Sequence, residues 1–327
     1  MRNLIFTLFL FNHLSFSQEV EFKGYFDYTY NEDNGKITLA IDKLDQEFLY
    51  VNSLSRGVGN NDLGLDRGQL GNSRIVYFTK KGDKIFLIQP NLKYISTSDN
   101  YHNCLPPFAY LFNKFWSSDL KVTFLGYKEP DVSLPSNFDF VSLGEQKGPS
   151  YYGKDMRTFF ESIDDKHFIY TMEDQFILDY VNVDVIEKMI PYTNNSDVGR
   201  ICLTNSIFQS HMGKKHEKWC DDVGYELIQY SPNSEFRMTC EWTIWKKDYL
   251  CRYLLDGMDP WQFESVASRE SKNNGYHLIG CKNKVAIQHA EALRRRNTEQ
   301  GFDFKFVNED KYLDNDTIED MKQRNII

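Results

Sequence analysis

Residues 167–177 read HFIYTMEDQFI, and this stretch decides the fold. Its first half is an apolar run of the length of a buried strand, and the adjacent carboxylates Glu173 and Asp174 follow directly at its C-terminal end. Open α/β sheets bind their ligands at the carboxyl ends of their strands. The stretch therefore predicts a buried strand that presents two acidic side chains at its end. The alternative is a solvated turn or a helix N-cap.

Strand-like and helix-like runs alternate around this stretch. A strand-like run at residues 92–97 is followed by a helix-like run at 105–116, a strand-like run at 121–125 and a helix-like run at 153–163, and the alternation continues to the C-terminus. This spacing is typical of a mostly parallel sheet covered by helices. We therefore predict an α/β domain over residues 92–327.

The segment before it, residues 19–91, has a β-rich pattern. Five short apolar or alternating runs are separated by turn signals such as Asp33-Asn34-Gly35 and Lys81-Gly82-Asp83, which favour hairpins. We expect one small twisted sheet here. The five runs cover residues 25–30, 36–41, 47–51, 74–79 and 84–89.

Residues 1–18 have the pattern of an export signal. Arg2 precedes an apolar stretch at residues 4–11, and Ser15-Phe16-Ser17 resembles a cleavage site. The alternative is the first buried strand of a cytosolic protein. The apolar stretch is too short to span a bilayer, and no other segment approaches the roughly 20 apolar residues required. We expect no transmembrane segment in the mature chain.

Composition sets further limits on function. The chain has 327 residues, 41% hydrophobic and 26% charged, which is typical of a folded protein. Its net charge of −9 argues against nucleic acid as a partner, because phosphate binding needs clustered Lys and Arg. The 6 cysteines are irregularly spaced without a CxxC pair, so disulfides and buried thiols are both open.

The first segment resembles a known family. Residues 47–90, above all GLDRGQLG at 64–71, are similar to the N-terminal region of large secreted bacterial zinc metalloproteases, and we extend that resemblance to residues 20–90. Those proteases bind zinc through HExxH on a helix. This chain lacks the motif: its nearest string, HEKWC at 216–220, has Cys220 in place of the second His and no helical pattern around it. We therefore infer no proteolysis from this resemblance.

The second segment resembles a different family. Four stretches are together similar to bacterial and phage glycosyltransferases of GT-A type, and the resemblance covers nearly all of residues 92–327. It implies a Rossmann-like nucleotide-diphospho-sugar transferase domain. The stretches are LKYISTSDNYHNCLPPFAYLFNKFW (92–116), FIYTMEDQF (168–176), EFRMTCEWTIWKKDYLCRYL (235–254) and DPWQFE (259–264).

This resemblance implies a metal and diphosphate site at Glu173 and Asp174. Carboxylates suit Mn²⁺ or Mg²⁺, which would bridge the two phosphates of the donor and neutralise the leaving group. The family's common spacing is D-x-D, so the adjacent pair leaves open which oxygens reach the ion. His289 follows an apolar run and is a candidate third ligand; a capping or core histidine is the alternative.

The resemblance also implies donor-binding residues. Asp99 and Tyr101 lie in the loop after the first strand, where the family contacts the nucleotide, and an ordinary βα loop is the alternative. Arg237 precedes an apolar segment and is a candidate for a bidentate contact to phosphate. A structural ion pair with Glu235 or Glu241 would explain Arg237 equally well.

The candidate residues for binding and activating the acceptor lie in the last two of these stretches, 235–254 and 259–264. Glu264 is the candidate general base that removes the acceptor hydroxyl proton, since a carboxylate beside aromatic rings has a raised pKa; a surface Glu in a first helical turn is the alternative. Trp242 and Trp245 resemble the aromatic wall on the acceptor side. Their spacing on a mixed segment also fits the core.

The sequence therefore predicts a metal-dependent glycosyltransferase that moves a sugar from a nucleotide-sugar donor to a glycan or another hydroxyl acceptor. Two alternatives remain: an exported, non-catalytic binding module on the same scaffold, and a non-catalytic fragment of a secreted protease. The compartment is also open. Residues 1–18 suggest export to the periplasm or beyond, whereas nucleotide sugars are made in the cytoplasm.

Overall fold

A computed structural model describes residues 19–53, 74–89, 93–204, 216–220, 224–282, 284–292 and 313–327. The expected export signal, the stretch at 64–71 and Leu92 lie outside the described residues. The chain divides into two compact units, Met1–Pro90 and Asn91–Ile327.

The first unit forms hairpins. Its described strands make two three-stranded antiparallel sheets, β1-β2-β3 and β4-β5-β6, so the expectation of one sheet is wrong. Gly35 (φ 69°) and Gly82 (φ 60°) close the two predicted tight turns in left-handed conformations that glycine adopts without strain. The strands are β1 (Glu19–Phe22), β2 (Asp27–Asn31), β3 (Lys36–Ala40), β4 (Phe48–Tyr50), β5 (Arg74–Lys81) and β6 (Lys84–Ile88).

The second unit is built on a sheet that has nine strands among the described residues. A separate pair of short strands, β11 and β17, lies beside it. The strands are β7 (Lys93–Ser96), β8 (Val122–Gly126), β9 (Phe138–Ser142), β10 (His167–Met172), β11 (Gln175–Ile177), β12 (Val198–Cys202), β13 (Glu217–Cys220), β14 (Leu227–Gln229), β15 (Thr243–Lys246), β16 (His277–Cys281) and β17 (His289–Glu291).

The strand order locates a switch point. The sheet runs β13-β14-β16-β12-β15-β10-β7-β8-β9, and β10, β7, β8 and β9 are mutually parallel. Numbered along the chain, those four have the order 3-2-1-4 with which the doubly wound order 3-2-1-4-5-6 begins. The chain moves outward from β7 to β9 and then returns to the other side of β7 as β10. The switch point therefore lies between β7 and β10.

Helices cover this sheet, and the predicted α/β class is confirmed. A 3₁₀ turn (Asp99–Cys104) leads into α1, and a π turn (Phe263–Ala267) joins α5 to α6. No helix in the described part of the chain is long and apolar enough to cross a membrane. The helices are α1 (Leu105–Phe115), α2 (Tyr152–Ser162), α3 (Val183–Met189), α4 (Lys247–Tyr253), α5 (Pro260–Gln262), α6 (Ser268–Glu270) and α7 (Asn315–Gln323).

Two buried clusters of apolar side chains hold the second unit together. In the first, Phe108 and Phe112 of α1 stack on Trp242, with ring centroids 5.7 and 6.3 Å away. In the second, Phe160 of α2 stacks on Phe168 of β10 at 4.4 Å. Positions i and i+4 of α1 lie on one face, which is why this helix buries its aromatic rings against the sheet. All six cysteines are described, and all are free thiols.

Candidate active site

Glu173 and Asp174 lie at the switch point of the sheet. The backbone ladder continues one residue beyond β10, because the Glu173 N–H donates to the Ser96 carbonyl at the end of β7 (3.0 Å). The Ser98 N–H then donates to Glu173 Oε1 (2.9 Å). This bond ties the loop after β7 to the acidic pair. The two strand ends that flank the switch point are therefore joined through a carboxylate.

The second oxygen of Glu173 has no such partner. The side chain is 1% exposed, and Oε2 accepts no hydrogen bond from the residues that the structure describes. Burial, followed by the negative charge of Asp174, raises the pKa of Glu173 from 4.5 to about 8. A buried carboxylate with an unused oxygen is costly unless a proton or a cation neutralises it.

Asp174 faces a further carboxylate. Its carbonyl accepts the Ala292 N–H (2.7 Å), which holds β17 beside it, and β17 places Glu291 opposite Gln175. Burial raises the pKa of Asp174 from 3.8 to about 7, with the charge of Glu291 as the next cause and that of Glu264 contributing. His289, the predicted third metal ligand, lies opposite Ile177, two residues before Glu291 in β17.

Glu264 is positioned by a well-capped helix start. Asp259 and Gln262 form a capping box, and Pro260 occupies the first turn, where its missing N–H costs nothing. Glu264 follows in the π turn, and its Oε1 accepts from the Cys240 N–H (2.8 Å) and the Thr239 hydroxyl (3.1 Å). The structure describes no donor on Oε2. Burial raises the pKa of Glu264, as expected of a base, with Glu241 and Glu291 contributing.

A hydrogen-bonded layer holds the Cys240 segment against β10. The Thr171 hydroxyl donates to the Cys240 carbonyl (3.1 Å), and the hydroxyls of Tyr152 and Tyr170 are 2.7 Å apart. The Tyr152 hydroxyl also lies 3.7 Å from Cys240 Sγ. Since Cys240 carries the N–H that orients Glu264, this layer sets the position of the Glu264 carboxylate relative to Asp174.

Two other carboxylates, Glu241 and Glu291, lie at the edge of the sheet that carries Glu173 and Asp174. Neither was a candidate site residue from the sequence. Glu241 precedes β15, and its Oε2 accepts from the Thr204 hydroxyl beyond the end of β12 (2.7 Å). Glu291 comes from β17, which is distant in sequence. Neither has a local motif. Only the strand directions point to Glu241: β10 and β12 are parallel and β15 is antiparallel between them. The C-terminal ends of β10 and β12 and the N-terminal end of β15 therefore lie at the same edge of the sheet.

The predicted nucleotide loop lies beside the acidic pair. Asp99 begins the 3₁₀ turn that follows Ser98, and its Oδ1 accepts from the Lys128 N–H just beyond β8 (3.0 Å). Asp99 therefore bridges the loops after β7 and β8. Tyr101 is half-buried and packs against the core cluster of α1, so its ring supports the loop rather than projecting freely.

Arg237 is not free to bind phosphate in this structure. Its side chain is buried, and Nη1 donates to the carbonyls of Tyr230 (2.9 Å) and Ser231 (2.7 Å). The alternative ion pair with Glu235 or Glu241 is absent from the described ion pairs as well. Arg237 thus holds a loop together, and we leave it out of the proposed site.

The expected aromatic wall is also in the interior. Trp242 and Trp245 are fully buried on opposite faces of the sheet, because they are three residues apart across β15 and alternate strand positions face opposite sides. The Trp242 indole N–H donates to the Gln175 carbonyl (2.9 Å). Their assignment to the acceptor side is wrong, and the core alternative is correct.

A cavity of about 400 Å³ lies elsewhere, near α2 and α4. It is lined by Glu161 of α2 and by four residues of α4, namely Lys247, Asp248, Cys251 and Arg252. Lys247 follows the end of β15 and donates its N–H to Lys166, which precedes β10 (2.8 Å). The cavity is therefore at the edge of the sheet opposite Glu173 and Asp174, and it contains none of the carboxylates described above.

Comparisons with known proteins give distant likenesses. No family model matches the chain, and no curated protein does. A mannosyltransferase from Pyrobaculum calidifontis, solved with GDP-Man and Mn²⁺, is similar at 13% identity and a TM-score of 0.40; the match covers 64% of this chain and 59% of that one.

Two other solved structures are similar at the same level. Residues 1–349 of TarS from S. aureus with UDP-GlcNAc match at 10% identity and a TM-score of 0.39, covering 64% of this chain and 62% of that one. HddC from Yersinia pseudotuberculosis matches at 11% identity and a TM-score of 0.34, and the match covers 61% of this chain and 93% of that one. The chain thus spans about three fifths of the first two proteins. Likenesses this distant establish no activity.

Proposed function

We propose that the unit Asn91–Ile327 is a glycosyltransferase of GT-A type, which moves a sugar from a nucleotide-sugar donor to a hydroxyl acceptor with the help of a divalent cation. The observation that carries the proposal is the acidic pair at the switch point, with Glu173 bonded to the Ser98 N–H. Switch points are where doubly wound sheets bind nucleotides. The resemblance of the four sequence stretches narrows the ligand to a nucleotide sugar.

Asp174 and Glu173 fit a cation of the Mg²⁺ or Mn²⁺ type. In the described ranges, no group of three or more His, Cys, Asp or Glu side chains is arranged to hold a metal alone. Mg²⁺ at phosphate sites is ordinarily held by one or two carboxylates, with water and phosphate oxygens as the other ligands. The unused Oε2 of Glu173 and the raised pKa values of both acids are consistent with such a role.

Each residue then has a chemical task. The divalent cation, when bound, neutralises the charge that develops on the leaving diphosphate. Asp99 and the loop after β7 hold the nucleotide side of the donor. Glu264 takes the proton from the acceptor hydroxyl while the new bond to the sugar carbon forms and the bond to the diphosphate breaks. Burial raises the pKa of Glu264, which makes its carboxylate a stronger base than a solvated one.

Calorimetric titration of the full chain tests the proposal. A panel of UDP- and GDP-sugars is titrated with Mn²⁺, with Mg²⁺ and with a chelator. We expect at least one donor to bind with either ion and to bind at least tenfold more weakly with the chelator. Absence of donor binding under every condition would reject the enzyme and favour a binding module without nucleotide chemistry.

A second measurement addresses catalysis. Release of UDP or GDP from the bound donor, in the presence of simple hydroxyl acceptors, is followed with wild-type chain and with Glu264→Gln. We expect release by the wild type and a loss of about 100-fold or more in the variant, which is typical of removing a general base. Equal rates would remove Glu264 from the proposed role.

A further inference from the structure

Two arginines are buried beside the second core cluster. Arg200 of β12 is 1% exposed, and Arg237, in the loop before β15, is 3% exposed. Neither forms an ion pair within the described ranges, where the paired arginines are Arg157, Arg269 and Arg324. A guanidinium group keeps its proton inside a protein, so burial cannot be relieved by loss of the charge. Two buried positive charges therefore need a negative partner.

Arg200 lies against two aromatic rings of that cluster. It is opposite Trp245 in the ladder between β12 and β15, so the two side chains share one face of the sheet. Its guanidinium carbon is 5.4 Å from the centre of the Trp245 ring and 5.9 Å from the centre of the Tyr230 ring. Nη1 donates weakly to the Thr243 hydroxyl (3.4 Å). Nε and Nη2 have no acceptor among the residues described.

Arg237 approaches the same place from its loop. Its Nη1 donates to the carbonyls of Ser231 and Tyr230, the residue whose ring faces Arg200, whereas its Nε has no acceptor in the described part of the chain. Burial lowers the pKa of Arg237; Tyr249 opposes this effect, and the positive charge of Arg200 adds to it. The two guanidinium groups are therefore close enough to repel each other.

The unused polar atoms around Arg200 are almost all donors. The Trp245 indole N–H and the Tyr230 hydroxyl are buried and, within the described ranges, have no partner either. Indole and guanidinium nitrogens can only donate. Glu241 is the acid whose charge acts on Tyr230, but its Oε2 accepts from the Thr204 hydroxyl and it pairs with neither arginine. Water would accept these bonds, but it would leave both charges unbalanced.

We propose that Arg200 and Arg237 hold a buried monatomic anion of the chloride type, with the Trp245 indole and the Tyr230 hydroxyl as further donors. All four side chains are 3% exposed or less, which favours a monatomic ion over a phosphate ester. The anion balances the two charges and joins β12, β15 and the loop after β14. It serves the stability of the fold and does not rest on the proposed function.

Calorimetric melting of the full chain tests the proposal. Sodium gluconate is replaced stepwise by sodium chloride at constant ionic strength, because gluconate is too large for an enclosed site. A ligand that binds only the folded state raises the melting temperature as its concentration increases. We expect a rise of at least ~2–4 °C between about 1 and about 200 mM chloride. Equal melting temperatures throughout the series would overturn the proposal.

Matched variants separate this site from a general effect of salt. Arg200→Met removes the charge and keeps much of the volume, so it should melt within ~2–4 °C of wild type in gluconate and should not respond to chloride. Arg252→Met is the control, because Arg252 is exposed and lies over the Tyr276 ring (5.1 Å), and it should keep the wild-type response. A response of wild-type size in Arg200→Met would contradict the assignment.

Bromide locates the anion in the wild-type chain, whether or not the variants fold. Crystals of the full chain are soaked in sodium bromide, and anomalous diffraction is measured at the bromine absorption edge. We expect a peak in contact with the guanidinium groups of both Arg200 and Arg237. Bromide peaks at the protein surface alone would mean an adventitious ion only and would refute the buried site.

Discussion

Replacing Glu173 with Gln should stabilise the metal-free protein at high pH. Gln retains an oxygen that accepts the Ser98 N–H, and it removes a buried charge. Burial and Asp174 raise the pKa of Glu173 from 4.5 to about 8 in the folded chain. Between these values the folded state holds a proton that the unfolded state has released, so wild-type stability falls as pH rises through this window.

The structure sets the size of the effect. At 1.36 kcal/mol per pKa unit, the full shift corresponds to about 5 kcal/mol, and water entry and local relaxation reduce it, so we expect ~2–5 kcal/mol. At pH 5, near the lower end of this window, Glu173 is protonated in the folded state, and the two proteins should differ by less than ~1 kcal/mol. At pH 8.5 the wild type carries the buried charge, and Glu173→Gln should be more stable by this amount.

Urea unfolding of the full chain, with a chelator present, measures the difference at pH 5, 6.5 and 8.5. The 5 tryptophans are all after residue 90, so their fluorescence reports on the unit that contains Glu173. Glu145→Gln is the control, since Glu145 is exposed in a loop, and it should follow the wild type. Parallel pH profiles for Glu173→Gln and wild type would refute the reasoning.

Three further outcomes are expected. Glu264→Gln should retain donor binding within about twofold while transfer falls 100-fold or more, because the amide keeps the bonds from Cys240 and Thr239 but cannot take a proton; calorimetry and nucleotide release check both. Arg200→Met should change the free energy of unfolding by less than ~1 kcal/mol, because the buried guanidinium lies over aromatic rings without a described carboxylate partner. Arg200→Ala should lower the free energy of unfolding by ~2–5 kcal/mol, and equal losses for the two variants in urea unfolding would contradict this. Gly280→Ala should lower the free energy of unfolding by ~1–3 kcal/mol, since the new methyl group would clash with the buried Tyr230 hydroxyl and lie 2.9 Å from the ring carbon Cζ. Adding Tyr230→Phe should recover part of that loss in the same urea measurement.

The regular part of the fold was predictable from local pattern. The apolar runs that became β7, β8 and β10 and the periodic runs that became α1 and α2 are long enough to define their own type, and the structure confirms them. The predicted hairpins of the first unit also formed. Their assembly into two sheets was not predictable, because pairing between strands depends on contacts that no local run encodes.

Residues of the candidate site were predictable only where a local sequence pattern marks them. Glu173 and Asp174 are adjacent to a strand end, and Glu264 follows a capping box, so local signals identified them as candidates. Glu291 reaches Asp174 through a two-stranded pairing across more than a hundred residues, which the sequence does not show. Trp242 and Trp245 were misplaced because aromatic side chains serve cores and binding walls equally well, and only burial separates the two uses.

Under the proposed function, Asp174 binds the cation that holds a nucleotide sugar at the switch point. Calorimetry with the full chain, Mn²⁺ and the best-binding donor compares wild type, Asp174→Asn and Asp179→Asn, a matched change at an exposed aspartate beyond β11. We predict that Asp174→Asn weakens Mn²⁺-dependent donor binding at least tenfold and that Asp179→Asn leaves it unchanged. Unchanged donor affinity in Asp174→Asn would contradict the assignment of the site.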